Sequence, residues 1–142
     1  MPDEPVKGRN AARILRLLLR IVGTTSLFAV VAVMMPYTWM NAIHGWLGMG
    51  PLPDEPVVGY LARSTSACYA ISGGLLWLVS FDLRRYLAVL RYFGVATVLF
   101  GLMVLVVDWR EGMPWFWCLM EGPFDTAFGA AILWLSAQVG KQ

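Results

Sequence analysis

Long stretches without a charged side chain constrain this chain more than any other feature of its sequence. Residues 21–53, 64–81 and 92–107 contain no Asp, Glu, Lys or Arg. Only 14% of all residues are charged, whereas soluble domains average about 25%, because their surfaces must be hydrated. This pattern excludes a soluble globular enzyme and a disordered tail. The net charge of +2 is too small to favour a nucleic-acid partner.

The apolar runs are long enough for membrane-spanning helices, which need about 20 mainly apolar residues. Lipid offers the backbone no hydrogen-bond partners, so each run must satisfy its own backbone as a helix. Residues 99–107 lack the polar and apolar alternation of a transmembrane β-strand. We therefore predict an all-α membrane protein, a four-transmembrane-helix bundle. Its parts are a basic amphipathic segment at 1–16 and one transmembrane domain at 17–138, with helices at about 17–37, 58–81, 87–109 and 114–138 and an outer loop at 38–57.

The basic residues fall mainly on one side of these predicted helices. With a cytoplasmic N-terminus, only Arg63 and Arg110 of the 11 Lys and Arg residues lie outside. Cytoplasmic loops are enriched in Lys and Arg, so this bias predicts that both termini face the cytoplasm. The residues on that side are Lys7, Arg9, Arg13, Arg16, Arg20, Arg84, Arg85, Arg91 and Lys141.

Four arginines recur at helical spacing near the N-terminus. Arg9, Arg13, Arg16 and Arg20 lie 4, 3 and 4 residues apart, so a helix presents them on one face. Such a face can bind anionic lipids at the cytoplasmic side of the bilayer. The same residues also fit ordinary positive-inside flanks, and we favour that interpretation because every span needs an orientation signal.

The predicted outer loop is interrupted repeatedly by Gly and Pro, but its first half is rich in aromatic and aliphatic residues. A short helix at the membrane interface would carry Trp39, Met40, Ile43, Trp46 and Leu47. We expect this loop to cap the outer end of the bundle.

Small residues recur every four positions on two of the predicted helices, and small residues let helices approach closely in lipid. The third predicted helix offers Gly94, Thr97 and Gly101 on one face, and Gly73 to Leu78 faintly resembles Gly129 to Leu135. We expect the second and fourth helices to make the closest approach. The residues predicted to pack are Ala62, Ser66, Ala70 and Gly74 on the second helix, and Gly122, Thr126 and Ala130 on the fourth.

A few charges are not explained by orientation. Arg63 lies within the second predicted helix, while Glu121 and Asp125 share one face of the fourth and Asp108 ends the third. Charges in a membrane usually face the protein interior and pair, so we predict an ion network of Arg63, Glu121 and Asp125, with Asp108 at its rim. It is either a polar clamp or a proton or substrate site. We favour the clamp, because the acids lie toward one end of the bundle.

The residues typical of catalysis or metal binding are scarce. His44 is the only histidine, and Cys68 and Cys118 form no Cys-x-x-Cys motif, which disfavours a thiol or quinone oxidoreductase. The two cysteines could approach if the second and fourth helices pack, but we disfavour a disulfide, because buried membrane cysteines usually act as small apolar residues. We identify no catalytic residue, metal ligand or cofactor site. Pro123 either kinks a continuous fourth helix, which we favour, or begins it, leaving residues 113–121 as an interfacial segment.

Three features resemble an uncharacterised bacterial family of small four-helix membrane proteins, a domain of unknown function near the DoxX-like group. They are the Gly- and Pro-rich outer loop; Tyr60, Leu61, Ala62 and Arg63 leading into Tyr69 and Gly73; and Gly112, Met113 and Pro114 before Glu121. The resemblance implies a four-helix bundle in a bacterial plasma membrane and supplies no activity. Pro123 and the arginine-rich N-terminal extension depart from the family pattern.

These patterns favour a non-catalytic integral membrane protein, either an accessory subunit of a larger membrane complex or a bundle that self-associates. Its expected partners are the lipid bilayer, other membrane subunits or further copies of the chain. The alternative is a small proton-coupled transporter that uses Arg63, Glu121 and Asp125. Against transport, small multidrug transporters carry an acid inside the first helix, and residues 21–43 contain none.

Overall fold

The structure is a computed structural model that describes residues 6–140, and all regular secondary structure in this range is helical. The predicted all-α fold is confirmed. The first five residues of the predicted N-terminal segment, and Lys141, lie outside the described range. The helices are α1 (Val6–Leu27), α2 (Val30–Met34), α3 (Tyr37–Trp46), α4 (Pro56–Phe81), α5 (Leu87–Arg110) and α6 (Trp115–Val139).

The first predicted span differs from the structure at both of its ends. α1 continues from the basic segment into the span without a break at residues 16 and 17, and α2 follows it after a two-residue turn. The helical path then stops at Met35, which has an extended ψ of 132°. Pro36 explains this stop, because the proline ring disfavours helical backbone in the preceding residue.

α3 occupies the first half of the predicted outer loop, where the sequence predicted a short helix. α4 begins at Pro56, two residues before the predicted start. Proline is favourable at a first helical position, because its missing N–H would have had no partner there.

α6 is one helix that contains Pro123, so the prediction of a continuous fourth helix is confirmed and residues 113–121 do not form a separate segment. Because proline has no N–H, the Leu119 carbonyl loses its usual partner four residues later. In the same stretch the Thr126 hydroxyl donates to the Gly122 carbonyl at 2.8 Å.

Three helical segments are long and apolar enough to cross a membrane: Gly8–Met34, Pro56–Phe81 and Leu87–Arg110. α6 is not one of these three, and it carries the carboxylates of Glu121 and Asp125, which lower its mean hydropathy. Along α5, Leu99, Met103 and Val106 are each more than half exposed. Rows of exposed apolar side chains are stable against lipid and costly in water, so these helices fit a membrane protein.

The chain divides into two compact units. The α5–α6 unit comprises the described parts of residues 1–18 and 79–142. The α1–α4 unit comprises Leu19–Leu78. The core of the α5–α6 unit contains Leu15, Leu90, Ile132 and Leu135, each at most 3% exposed.

Glycines bring α5 and α6 into backbone contact within the α5–α6 unit. A Cβ added to Gly101 would lie 2.6 Å from the Gly122 carbonyl oxygen, and one added to Gly129 would lie 2.7 Å from the Gly94 carbonyl oxygen. Contacts this short leave no room for a side chain. The two glycine pairs are seven residues apart on each helix, so they fix the antiparallel register over two turns.

The α1–α4 unit contains the same arrangement. A Cβ on Gly73 would lie 2.6 Å from the Gly23 carbonyl oxygen and 2.8 Å from the Leu27 nitrogen. In the α5–α6 unit, Gly129 has the equivalent neighbours, the Gly94 carbonyl oxygen and the nitrogen of the residue four positions later. The faint similarity between residues 73–78 and 129–135 thus coincides with one packing geometry used twice.

Candidate functional site

Arg63 lies in the second turn of α4 and is part-buried. Its guanidinium donates to the Met35 carbonyl at 3.1 Å and to the Gly59 carbonyl at 3.3 Å. Met35 ends the helical path before Pro36, so its carbonyl lies where the ladder of helical hydrogen bonds stops. Arg63 therefore supplies a charged donor at the helix break, as a clamp would.

Glu121 and Asp125 lie one turn apart on α6 and are both part-buried, as their spacing predicted. A Glu121 carboxylate oxygen accepts a hydrogen bond from the Trp117 indole N–H, which lies one turn earlier on the same helix. The sequence analysis missed this bond, although the spacing of four residues permits it. Glu121 therefore has a neutral donor within its own helix.

Asp108 is 6% exposed, and its Oδ2 is the only buried side-chain oxygen or nitrogen in the described residues that has no hydrogen-bond partner. Its backbone carbonyl accepts from the Met113 N–H at 2.9 Å, which closes the turn after α5. A buried polar atom without a hydrogen-bond partner lowers the stability of the folded chain, so the burial of this oxygen requires an explanation.

The predicted ion network is divided between the two units. Arg63 belongs to the α1–α4 unit, whereas Asp108, Glu121 and Asp125 belong to the α5–α6 unit. The pairing of Arg63 with these carboxylates stays a prediction.

The basic stripe of α1 contains two kinds of arginine. Arg9 and Arg13 are exposed, as residues that face lipid headgroups or water would be. Arg16 Nε donates to the Ser80 carbonyl at 3.1 Å in the last turn of α4, and the Arg20 guanidinium lies 5.0 Å from the centre of the Trp77 ring. The two later arginines are part-buried and contact protein groups, which the sequence pattern did not reveal.

Only some of the predicted packing residues lie in helix contacts. Gly122 and Thr126 lie against Gly101 of α5, whereas Ala130 is exposed and Gly129 makes the contact instead. On α4, Ala62, Ser66 and Ala70 are part-buried, and a Cβ added to Gly74 would lie 4.0 Å from the Leu27 side chain. A close approach of the second and fourth predicted helices stays a prediction.

One face of α3 binds the loop that follows it. Tyr37, Asn41 and His44 lie 4 and 3 residues apart, so they share a face. His44 Nδ1 lies 2.8 Å from the Gly50 carbonyl oxygen, and Asn41 Oδ1 accepts from the Leu52 N–H at 2.7 Å. The Tyr37 hydroxyl lies within hydrogen-bond distance of the carbonyl oxygens of residues 52 and 53. The loop atoms in these hydrogen bonds are all backbone atoms, so composition did not reveal them.

The phenol of Tyr37 is electrostatically perturbed. Desolvation is the largest cause that raises the pKa of Tyr37 above its ordinary value of 10.0, and the carboxylates of Asp54 and Glu55 raise it further. The neutral phenol, which can donate to the loop, is therefore the favoured form.

Residues 6–140 contain no group of three or more His, Cys, Asp or Glu side chains that could hold a metal ion. Cys68 is an exposed free thiol. Cys118 is a part-buried free thiol whose Sγ lies 3.6 Å from the Met113 carbonyl oxygen.

Comparisons with known proteins add no family assignment. The chain matches no protein-family model, and no curated protein or solved structure matches it.

Proposed function

We propose that this protein is a non-catalytic integral membrane protein that serves as a structural or accessory subunit of a membrane complex or associates with itself. Four transmembrane helices, both termini in the cytoplasm and a bacterial plasma membrane are part of this proposal. The family resemblance described above supports the same architecture and stays a prediction.

The observation that carries the proposal is that Arg63 donates to two backbone carbonyls. A guanidinium in this position stabilises the helix break at Pro36, and both of its terminal nitrogens donate to the protein itself. Arg16 has a similar contact with the Ser80 carbonyl. Cations held by backbone acceptors favour a structural role over substrate binding, because a substrate would have to displace those acceptors.

The packing of α6 against α5 supports a fourth span. α5 is apolar and long enough to cross a membrane, and α6 follows it in backbone contact at Gly101–Gly122 and Gly94–Gly129. With 25 residues, α6 is about 37 Å long at 1.5 Å per residue, which exceeds a hydrocarbon core of about 30 Å. An antiparallel partner of a span returns the chain to the starting side.

Native mass spectrometry of the full chain, released from its own membranes in mild detergent, tests the accessory role. We expect a stoichiometric complex with another membrane subunit or with further copies of the chain. The matched control is an unrelated membrane protein of similar size, extracted in the same way. A chain that leaves the membrane only as a monomer would contradict the proposal.

Asp108 favours a second candidate, a proton-coupled transporter. The buried Oδ2 of Asp108 has no partner among the described residues, and acids in membrane helices often form proton relays. Glu121 and Asp125 on α6 would supply further acidic groups.

Proton flux into proteoliposomes, followed with a trapped pH dye under a potassium diffusion potential, tests this candidate. A transporter would show flux that Asp108→Asn and Glu121→Gln abolish. Glu111→Gln, at an exposed position, would leave that flux unchanged. Flux equal to that of protein-free liposomes would exclude proton transport by this chain in the absence of a co-substrate.

A further inference from the structure

The side of α3 that does not bind the loop is apolar and uncovered. Trp39, Ile43 and Trp46 lie 4 and 3 residues apart, so they share a face of this ten-residue helix. They are 65%, 46% and 85% exposed, respectively. Two tryptophans at this exposure need a partner, because the surrounding face offers them little apolar contact.

The opposite face keeps α3 from rolling over to bury these side chains. Tyr37, Asn41 and His44 bind the backbone of residues 50–53 through separate hydrogen bonds. Turning the apolar face inward would break these bonds. The loop therefore fixes which side of α3 is presented outward.

The ends of α3 lie next to two helical segments that are apolar and long enough to cross a membrane. The first segment ends at Met34, three residues before α3 begins, and the second begins at Pro56, ten residues after α3 ends. α3 is therefore tethered close to the level at which these segments would leave the bilayer. Lipid is therefore always available to contact a helix at this position.

Area and charge also favour lipid over a protein partner. An aromatic side chain buries about 150–250 Å², so the two tryptophans cover at most about 500 Å² and Ile43 adds a smaller area, whereas a stable protein interface takes about 800 Å² from each partner. α3 carries no Asp, Glu, Lys or Arg that could add ionic contacts. Tryptophan, moreover, is enriched where the headgroups meet the hydrocarbon.

We propose that α3 is an interfacial helix whose Trp39, Ile43 and Trp46 insert into the boundary between lipid headgroups and acyl chains. Tyr37, Asn41 and His44 hold residues 50–53 on the aqueous side of the helix. The proposal deepens the proposed function by naming the lipid surface as the partner of α3. It depends on membrane location, and not on an accessory role or on the number of spans.

Spin-label accessibility in vesicles of neutral phosphatidylcholine tests this insertion. The background replaces both native cysteines, as Cys68→Ala and Cys118→Ala, and the labelled variants are Ile43→Cys and Asp54→Cys. We expect the label at 43 to collide more with oxygen, which concentrates in lipid, than with a water-soluble nickel chelate. The label at 54, in the exposed loop, should show the opposite preference. Met103→Cys, exposed on α5, provides the reference for a lipid-facing position.

Two outcomes would overturn the proposal. A label at 43 that is as accessible to nickel as the label at 54 would place this face in water. Shielding from both reagents would indicate a protein contact, including one with a second copy. Because the vesicles contain only this chain, loss of the accessory role would not change the result.

Tryptophan quenching keeps the test independent of the cysteine substitutions. Brominated lipids should quench the tryptophan fluorescence of the native chain more than that of a variant with Trp39→Phe and Trp46→Phe. Subtracting the two signals gives the fluorescence of Trp39 and Trp46, which lipids brominated near the headgroup should quench most. Equal helical content by circular dichroism controls for folding. A difference signal that no brominated lipid quenches would contradict insertion.

Discussion

Gly101 of α5 and Gly122 of α6 lie so close that a Cβ on either residue would come within 2.8 Å of the other residue's carbonyl oxygen. In lipid, the hydrophobic effect does not drive helices together, so close backbone packing must supply much of the attraction. Gly94 with Gly129, and Gly23 with Gly73 in the other unit, repeat the arrangement. These contacts make the stability of both units sensitive to single methyl groups.

Two adjacent glycines on α4 provide a matched test of this sensitivity. Gly73→Ala should lower the free energy of unfolding by about 1–3 kcal/mol, because the new methyl group meets backbone atoms at 2.6 Å and 2.8 Å. Gly74→Ala should be neutral or stabilising by up to about 1 kcal/mol, since its nearest neighbour is 4.0 Å away and alanine favours helix. Thermal unfolding in detergent measures both. Equal stability of the two variants would contradict backbone contact at Gly73.

Arg63→Ala should destabilise the chain by about 1–3 kcal/mol, because the Met35 and Gly59 carbonyls lose a charged donor. Arg63→Lys should restore less than half of this loss, since one ammonium group cannot reproduce the planar fork of a guanidinium. Arg110→Ala, at an exposed position, is the control. Detergent unfolding curves report all three, and full recovery with lysine would indicate that charge alone matters.

Much of the helical architecture is predictable from sequence, because apolar runs and charge clusters are local signals. The short helix α3 was also predictable from its aromatic residues. The carbonyl groups that accept from Arg63 were not predictable, because every residue has a backbone carbonyl and the sequence does not show which of them lacks a donor. Pro36 is the one local sign, because a helix usually ends at the residue before a proline and the last carbonyls of a helix then need other donors.

The sequence also did not predict which helices pack against each other. Several faces carry small residues at suitable spacing, and spacing along one helix does not identify the helix opposite. The structure pairs α5 with α6 through Gly129, one position from the predicted Ala130. One residue changes the direction of a helical side chain by about 100°, which separates a contact from an exposed position.

Two arginines of the α1 stripe should differ in their effect on stability. Arg16→Ala should cost about 1 kcal/mol, because Arg16 donates to the Ser80 carbonyl in the last turn of α4, where cations are favourable. Arg13→Ala should change stability by less than about 0.5 kcal/mol, since Arg13 is exposed. Both variants lose the same charge, so urea or thermal unfolding that gave equal losses would contradict the capping role.

Tyr37 should make the loop after α3 sensitive to alkaline pH. The raised pKa of Tyr37 means that the neutral phenol is favoured in the folded chain. Its stabilising contribution is therefore present below pH 10.0, the ordinary value, and is lost as pH rises through the higher folded value. The difference in phenolate absorbance between the wild type and Tyr37→Phe should titrate above pH 10.0. A difference titration below that pH would contradict the shift.

That α6 crosses the membrane beside α5 is tested most directly by cysteine labelling in intact cells, using a membrane-impermeant maleimide and the background without native cysteines. We predict that Glu111→Cys and Asp54→Cys react from outside, whereas a cysteine at Gln142 reacts only after the membrane is permeabilised. This result would support four spans and a cytoplasmic C-terminus. Labelling of the cysteine at 142 from outside, with labelling at 111 retained, would contradict a fourth span.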